Sequence, residues 1–510
     1  MLSLYKWQSE CLKIWSANGY RGIVNAITGS GKTMLAISAI THLEIASKND
    51  LRVKIVVPQT FLALQWRDEL KSKLGVKTSE IGIYSGKVKN PGRKYTIYVI
   101  NSARYSLARH ILDNLKEEKA VFLIADECHH YGSLENNRIF DFYKKLEPEM
   151  PYYALGLSAT PEIVSFDSIS IPLGQEIYSY DLNRALKDRI ISQFILFSID
   201  IEFTKEEERE HDELSNELTK GLLKLKKAYS ELHSMTSGAF FAYLNRLATY
   251  DYDESNTARR VLNLMYRRRA VSHMAANRMH CVMSLIDSLS NRLKIILFCE
   301  RIETANELHK NLQSIYTNQV GIYHSKMPEH IRREVLDDYK YGSLRLLVCC
   351  KALDEGLNIP STDAGILVSS SLSSRQRIQR LGRMLRHSKD IKRVYYLYIS
   401  KSSEDNELAR GLKIYESNIP VITLQYQADE FVNKEYERLR KIVIEYVISQ
   451  RDDSELIDAI DRNLRKALIR GDFLISEYNC RERIKLSRSI SESNYWKSVL
   501  YIILVRLGEI

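Results

Sequence analysis

Two α/β domains in series, each built on a parallel sheet, with a helical segment between them and another after them, are what this sequence predicts. Three observations carry that reading. Short apolar runs recur at spacings that leave room for a crossover helix; a second such series begins near residue 294; and the stretch between the two is long, charged and poor in helix breakers. At 510 residues the chain exceeds one ordinary core and suits about three or four domains.

The first series runs through Gly22 to Ile27, Val53 to Val57, Tyr95 to Ile100, Val121 to Asp126 and Tyr153 to Ser158. Unbroken apolar strands of this kind are buried on both faces, which is the habit of parallel sheets. Phe194 to Phe203 alternates apolar and polar residues like an exposed strand, and Thr204-Lys205-Glu206-Glu207 is then a capping-box signature for a long helix. Helical pattern continues to about residue 290 and contains Arg259-Arg260 and Arg267-Arg268-Arg269, open to two readings: contact with a phosphate backbone, or a solvated helix face. The second series takes in Lys294 to Phe298, Gln319 to Tyr323, Leu346 to Cys350, Ala364 to Ser369 and Arg393 to Ser400. Beyond residue 426 the pattern is helical again, as in Glu430 to Ile448 and Ser454 to Arg470. The expected division is therefore 1–166, 167–290, 291–425 and 426–510.

The formal charge of +10 and pI near 9.0 permit a polyanionic partner. Seven cysteines without a C-x-x-C pair indicate neither a zinc ribbon nor a disulfide framework, so a reducing, intracellular setting is expected, cytoplasmic or nucleoid-associated. No membrane span is expected; the late apolar run Val499 to Val505 is short, flanked by Lys497 and Arg506, and reads as a buried helix.

Chemistry concentrates at two places. Ala26-Ile27-Thr28-Gly29-Ser30-Gly31-Lys32-Thr33 joins a buried strand to a helix former through a glycine turn. Such a turn aims successive N–H groups at one anion, with a lysine for the outer phosphates and a hydroxyl for Mg²⁺. Asp126-Glu127 ends another apolar strand, where one carboxylate can hold Mg²⁺ and the other orient or deprotonate the attacking water. Asp126 is assigned to the metal and Glu127 to catalysis. The neighbouring Cys128-His129-His130 is read as a coupling histidine, His129, or a structural one, since adjacent residues at a strand end rarely converge on one ion.

With Asp126-Glu127-Cys128-His129 following the glycine turn, the chain resembles the superfamily-two helicases of DEAD/DEAH-box type, and within them the XPB-like and restriction-motor group. Gln8 resembles the Q-motif glutamine, which pairs with adenine; Val56 to Thr60 with Gln65-Trp66 resembles motif Ia; Asn101-Ser102 motif Ib; and Leu157 to Pro161 motif III. Leu297 to Glu300 resembles motif IV, followed by Tyr323-His324-Ser325 with Arg332-Arg333-Glu334. Leu353 to Pro360 resembles motif V and Gln376 to Arg386 motif VI. This ladder spans roughly three-quarters of the chain.

The resemblance implies two tandem RecA-like domains with ATP and Mg²⁺ between them. Thr28, Gly29, Ser30, Gly31, Lys32 and Thr33 would bind nucleotide together with Gln8, Gly356 and Asn358; Thr33 and Asp126 would hold the metal. Glu127, Lys32, Gln379, Arg383 and Arg386 would act in catalysis, the two arginines as fingers on the transferring phosphate. Two positions depart from the family: Asn358 stands where many relatives have aspartate, and Cys350 where a threonine is expected. The implied function is an ATP-dependent helicase or translocase, with DNA favoured over RNA by the forms of motifs II and Ia. A motor or sensor subunit of a repair, restriction or anti-phage assembly is the alternative, docking a protein partner through the helical insertion or the C-terminal helices; an RNA helicase is another.

Overall fold

Each apolar run read as a strand in the first 160 residues is a strand, and all of them join one parallel sheet. The computed structural model describes residues 3–47, 50–86, 88–159, 166–235, 237–250, 254–350, 362–369, 391–400, 402, 419–450 and 453–509. It divides at Gln193 and Phe194 into two compact units.

In the first unit β1 (Arg21–Ala26), β2 (Leu51–Val57), β3 (Ile81–Tyr84), β4 (Tyr95–Val99), β5 (Ala120–Ala125), β6 (Tyr152–Ser158) and β7 (Glu176–Tyr180) pair in the order β3-β4-β2-β5-β6-β1-β7. Every pairing is parallel. Helices α1 (Lys6–Ala17), α2 (Lys32–Ala46), α3 (Thr60–Leu74), α4 (Ile100–Ala103), α5 (Leu107–Lys116), α6 (Phe166–Leu173) and α7 (Leu182–Lys187) make up the rest of this unit's α structure. Two strands escaped the sequence reading. β3 is only four residues long, and β7 alternates exposed and buried positions because it is an edge strand. With β7 paired to β1, the first sheet extends past the boundary expected at 166.

Helix α1 is fastened by its aromatic residues. Trp15 Nε1 donates to Ala154 O at 2.9 Å, and Trp7 stacks on Tyr180 at 4.6 Å between centroids. Burial of two indoles, roughly 200 Å² each at about 25 cal/mol per Å², gives on the order of 10 kcal/mol before ordering entropy is subtracted. The consequence is a fixed position for Gln8, one residue after Trp7 and itself buried.

The second unit's sheet holds β8 (Phe194–Ile201), β9 (Ile295–Cys299), β10 (Val320–Tyr323), β11 (Leu346–Cys350), β12 (Ala364–Leu367), β13 (Lys392–Ile399), β14 (Val421–Gln427) and β15 (Glu430–Val432). Their order is β10-β11-β9-β12-β13-β8-β14-β15, parallel except for the β14–β15 hairpin. β8 corrects an expectation. It lies between β13 and β14 and is buried almost throughout; the apparent alternation arose from Ser198, polar but buried, and Asp200, polar and half-buried. Asp200 Oδ1 accepts from the Ser400 N–H at 3.1 Å and from the Ser400 hydroxyl.

The helical insertion also divides. Helices α8 (Lys205–Ala228), α9 (Ser237–Thr249) and α10 (Ser255–His273) form an arm with its own leucine-rich core, whereas α11 (Ala276–Ser288) packs into the core of the second sheet. Gly221 lets α8 and α10 touch, since a Cβ there would lie 2.7 Å from Val261 Cγ2. Arg259 Nε donates to Ala248 O at 2.7 Å, while Arg260 and Arg267 meet Glu217 at 2.9 Å and Glu210 at 3.9 Å. Three of the five clustered arginines therefore stitch the arm together.

Helices α12 (Ile302–Ile315) and α13 (Glu329–Tyr341) follow β9 and β10, and α14 (Lys434–Gln450), α15 (Ser454–Arg470), α16 (Glu477–Lys485) and α17 (Ile490–Leu507) close the chain. Residues beyond 426 were expected to stand apart, but β15 extends the sheet and α14, α15 and α17 bury Tyr436, Val443, Leu464, Leu468 and Ile502 in its core. Arg393 of β13 donates to Arg470 O at 2.8 Å and pairs with Asp472 at 2.9 Å, and Tyr495 OH donates to Asp472 Oδ2 at 2.7 Å. Breaking a buried pair of this kind costs about 3–5 kcal/mol, so these helices are integral to the second unit. Among the described residues no helix is long and apolar enough to cross a membrane.

Candidate nucleotide-binding site

The glycine turn follows β1 and ends at Lys32, the first residue of the 15-residue helix α2. Gly29 and Gly31 hold φ of 88° and 96°, the left-handed region that residues with a Cβ avoid. At Gly31 space forbids a side chain as well, because a Cβ would sit 2.6 Å from Gln8 Nε2. The first-turn N–H groups of α2 have no partner within the helix, so the turn presents donors and the positive end of the helix dipole together. Lys32 Nζ folds back to donate to Ala26 O at 3.0 Å, and Ser30 Oγ donates to Ile27 O at 2.7 Å. Thr28 Oγ1 is buried without a hydrogen-bond partner among the described residues, and Thr33 is half-buried in the first helical turn.

Gln8 is braced against this turn. Its Oε1 accepts from Tyr5 N–H at 2.8 Å and its Nε2 donates to Gly31 O at 2.9 Å. One N–H and one lone pair of the amide stay available for a further partner.

At the end of β5, Asp126 is fixed on both carboxylate oxygens. Oδ1 accepts from Glu127 N–H at 3.0 Å and Oδ2 from the Trp66 indole N–H at 2.8 Å. Burial, and then the Glu127 charge, push the Asp126 carboxyl up to about 6, while Trp66 and the Lys32 ammonium pull it down. The Lys32 contribution means that turn and carboxylate feel one another. The one Tyr131 O–H proton is shared between Asp126 O at 2.7 Å and Val56 O at 3.0 Å, which locks the strand end.

Glu127 has φ 48° and ψ 49°, a left-handed conformation unusual for a residue with a long side chain. Its Oε2 is buried with no hydrogen-bond partner and faces His129 Nδ1 at 3.6 Å. His129 Nδ1 and Ser158 Oγ share a hydrogen bond of 3.1 Å, and Ser158 ends β6. Cys128 points the other way, into the core of the first unit, where burial carries its thiol far above the usual range. Cys128 thus parts from His129, whose ring lies 4.3 Å from that of His130 between centroids, and among the described residues no cluster of three His, Cys, Asp or Glu could hold a metal. A single carboxylate with a hydroxyl suits Mg²⁺, which keeps much of its water.

Gln8, Thr28, Gly29, Ser30, Gly31, Lys32, Thr33, Asp126 and Glu127 are therefore all on one unit, with Gln8 touching the turn and Lys32 influencing Asp126. Gly356, Asn358, Gln379, Arg383 and Arg386, with Thr160 and Pro161 of motif III, lie outside the described residues. Sequence reasoning missed the link between Trp66 and Asp126. The available signal was that an indole is a donor only, so a buried tryptophan after β2 needs an acceptor at a neighbouring strand end.

Two family models match the chain: "Type III restriction enzyme, res subunit" over residues 1–163 and "Helicase conserved C-terminal domain" over residues 277–388. The chain is 25% identical over 411 residues to the DNA 3'-5' translocase XPB2 of Sulfurisphaera tokodaii, covering 80% of this chain and 84% of that protein. It is 24% identical over 437 residues to the putative DNA 3'-5' helicase Rad25 of Haloarcula marismortui, covering 82% of this chain but 58% of that one. The fold is similar to the Hef helicase domain of Pyrococcus furiosus, with a TM-score of 0.51 at 17% identity, covering 79% of this chain and 97% of that domain.

Proposed function

We propose that this chain, which belongs to the superfamily-two helicases of the XPB-like and restriction-type group, is an ATP-dependent motor that translocates on or unwinds DNA. One observation carries the chemical part. A glycine turn with a buried lysine and a fixed carboxylate pair end two strands of one parallel sheet, close enough for Lys32 to act on Asp126.

The residues fit ATP and Mg²⁺. The turn offers N–H groups to phosphate, and Lys32 exchanges Ala26 O for the outer phosphates. Gln8 uses its remaining amide valences toward the base. Thr33 and Asp126 would hold Mg²⁺, which when bound supplies charge neutralisation at the transferring phosphoryl group. Glu127 Oε2, buried and without a hydrogen-bond partner, orients a water and takes its proton, and His129 joins that carboxylate to Ser158 at the end of β6. Arg383 and Arg386 would complete the charge, as the resemblance implies.

DNA is the favoured track because relatives named for DNA translocation and unwinding match most of the chain, and the net charge of +10 suits a phosphate backbone. ATP turnover measured with duplex DNA, single-stranded DNA and RNA tests this. DNA should raise turnover well above the basal rate, and the effect should weaken steeply with salt. No stimulation by any nucleic acid would sink the motor reading, and stimulation by RNA alone would move the substrate.

The Trp66 contact gives a finer expectation. Trp66→Phe keeps the aromatic bulk and removes the donor to Asp126 Oδ2. The Mg²⁺ concentration for half-maximal turnover should rise about 10-fold or more, in keeping with losses when a partner of a metal ligand is removed, while melting stays near wild type. An unchanged Mg²⁺ titration would show that the indole serves packing alone.

A further inference from the structure

The arm of α8, α9 and α10 is rooted on three consecutive residues in the first turn of α11. Ala276 N–H donates to Glu207 Oε1 at 2.8 Å, Asn277 Nδ2 to Glu202 O at 2.9 Å, and Arg278 Nε to Ser272 O at 3.1 Å. Glu207 is in the first turn of α8, where its other oxygen accepts from Thr204 N–H at 3.0 Å, and Ser272 is in the last turn of α10. Both feet of the arm therefore stand on one helical turn.

Arg278 reaches further. Its side chain is fully buried, and Nη1 donates to Val368 O, just past β12, and to Leu397 O of β13 at 2.9 Å. A buried guanidinium is costly unless its donors are met, and a planar fork can serve carbonyls on three elements at once, as lysine cannot. Away from the root, Arg301, just before α12, donates to Tyr266 OH and lies over that ring at 4.4 Å. The arm is thus held at two points, a lever rather than a tether.

We infer that Arg278 is a positioning residue that couples the arm to the end of β12. From there the chain continues to residues 370–390, where the resemblance puts Gln379, Arg383 and Arg386. A load on the arm reaches the strand end through hydrogen bonds and close packing, without a flexible link. DNA stimulation of turnover then passes through this joint. The inference rests on the motor reading above.

The test compares wild type, Arg278→Met, Arg278→Lys and Ala276→Pro by thermal melting, by KM for ATP, and by turnover with and without saturating duplex DNA. Met keeps length and apolar bulk but removes every donor; Lys restores charge with fewer bonds. Ala276→Pro removes only the N–H to Glu207: proline suits the first helical position, and Ala275 already has the extended φ −55°, ψ 133° that precedes proline. The ratio of stimulated to basal turnover should fall at least about tenfold in Arg278→Met, within the usual range of coupling energies. It should recover in part in Arg278→Lys and fall in Ala276→Pro at wild-type melting, while KM for ATP stays within about twofold. Full stimulation in a folded Arg278→Met, or in Ala276→Pro, overturns the coupling. If Arg278→Met fails to melt cooperatively, Ala276→Pro decides alone. A wild type that no nucleic acid stimulates overturns the motor reading itself and takes the coupling with it.

Discussion

Glu127→Gln should leave ATP and DNA binding intact while turnover falls by about 10²- to 10⁴-fold, the usual loss for a general base. The substitution is nearly isosteric, and glutamine tolerates the left-handed φ of 48° no worse than glutamate does. What disappears is the basic carboxylate, whose buried Oε2 has no hydrogen-bond partner: the amide that replaces it cannot take a proton from water. A second effect strengthens the contrast. The Glu127 charge is one cause of the raised Asp126 pKa, so its removal makes Asp126 a better anion and the metal site tighter. The variant should therefore hold ATP and DNA together longer than wild type does. Single-turnover hydrolysis and retention of labelled ATP on immobilised DNA would separate the two effects. Turnover within about fivefold of wild type would remove Glu127 from the catalytic step, since general-base losses are far larger.

How much of this was legible beforehand depended on whether a residue's role was local. The glycine turn and Asp126-Glu127 could be read because their chemistry is written in adjacent residues after an apolar run. Strands buried on both faces, such as β5 with every residue buried, announce themselves by composition. β8 did not, since Ser198 and Asp200 mimic an exposed face, and the Ser400 partner that holds Asp200 within the sheet lies 200 positions away. The C-terminal helices were read as separate for the same reason. Their polar anchor, Asp472, meets Arg393 across 79 residues, and no periodicity encodes such a partner. Trp66 and Arg278 are of this kind too, each a donor with an acceptor on or just past a distant strand.

Lys32→Ala should abolish measurable turnover, with a loss of at least about 10²- to 10³-fold, the range seen when one preorganised donor to a developing charge is removed. Two losses compound. The ammonium sits buried in the turn on Ala26 O, so its charge is already desolvated and poised at the mouth of the N–H cradle. Alanine removes that charge and leaves Ala26 O without this donor. The second loss is indirect. Lys32 is the cation that lowers the Asp126 pKa, against burial and the Glu127 charge, and without it the carboxyl's pKa rises further and it meets Mg²⁺ less often as an anion. ATP affinity should therefore fall with turnover, unlike in Glu127→Gln, where affinity is kept. Equilibrium ATP binding on both variants separates the roles. If Lys32→Ala binds ATP as wild type does and loses only turnover, the lysine acts on the transition state alone and its link to Asp126 carries no weight. If it hydrolyses ATP at a wild-type rate, the turn is not the nucleotide site.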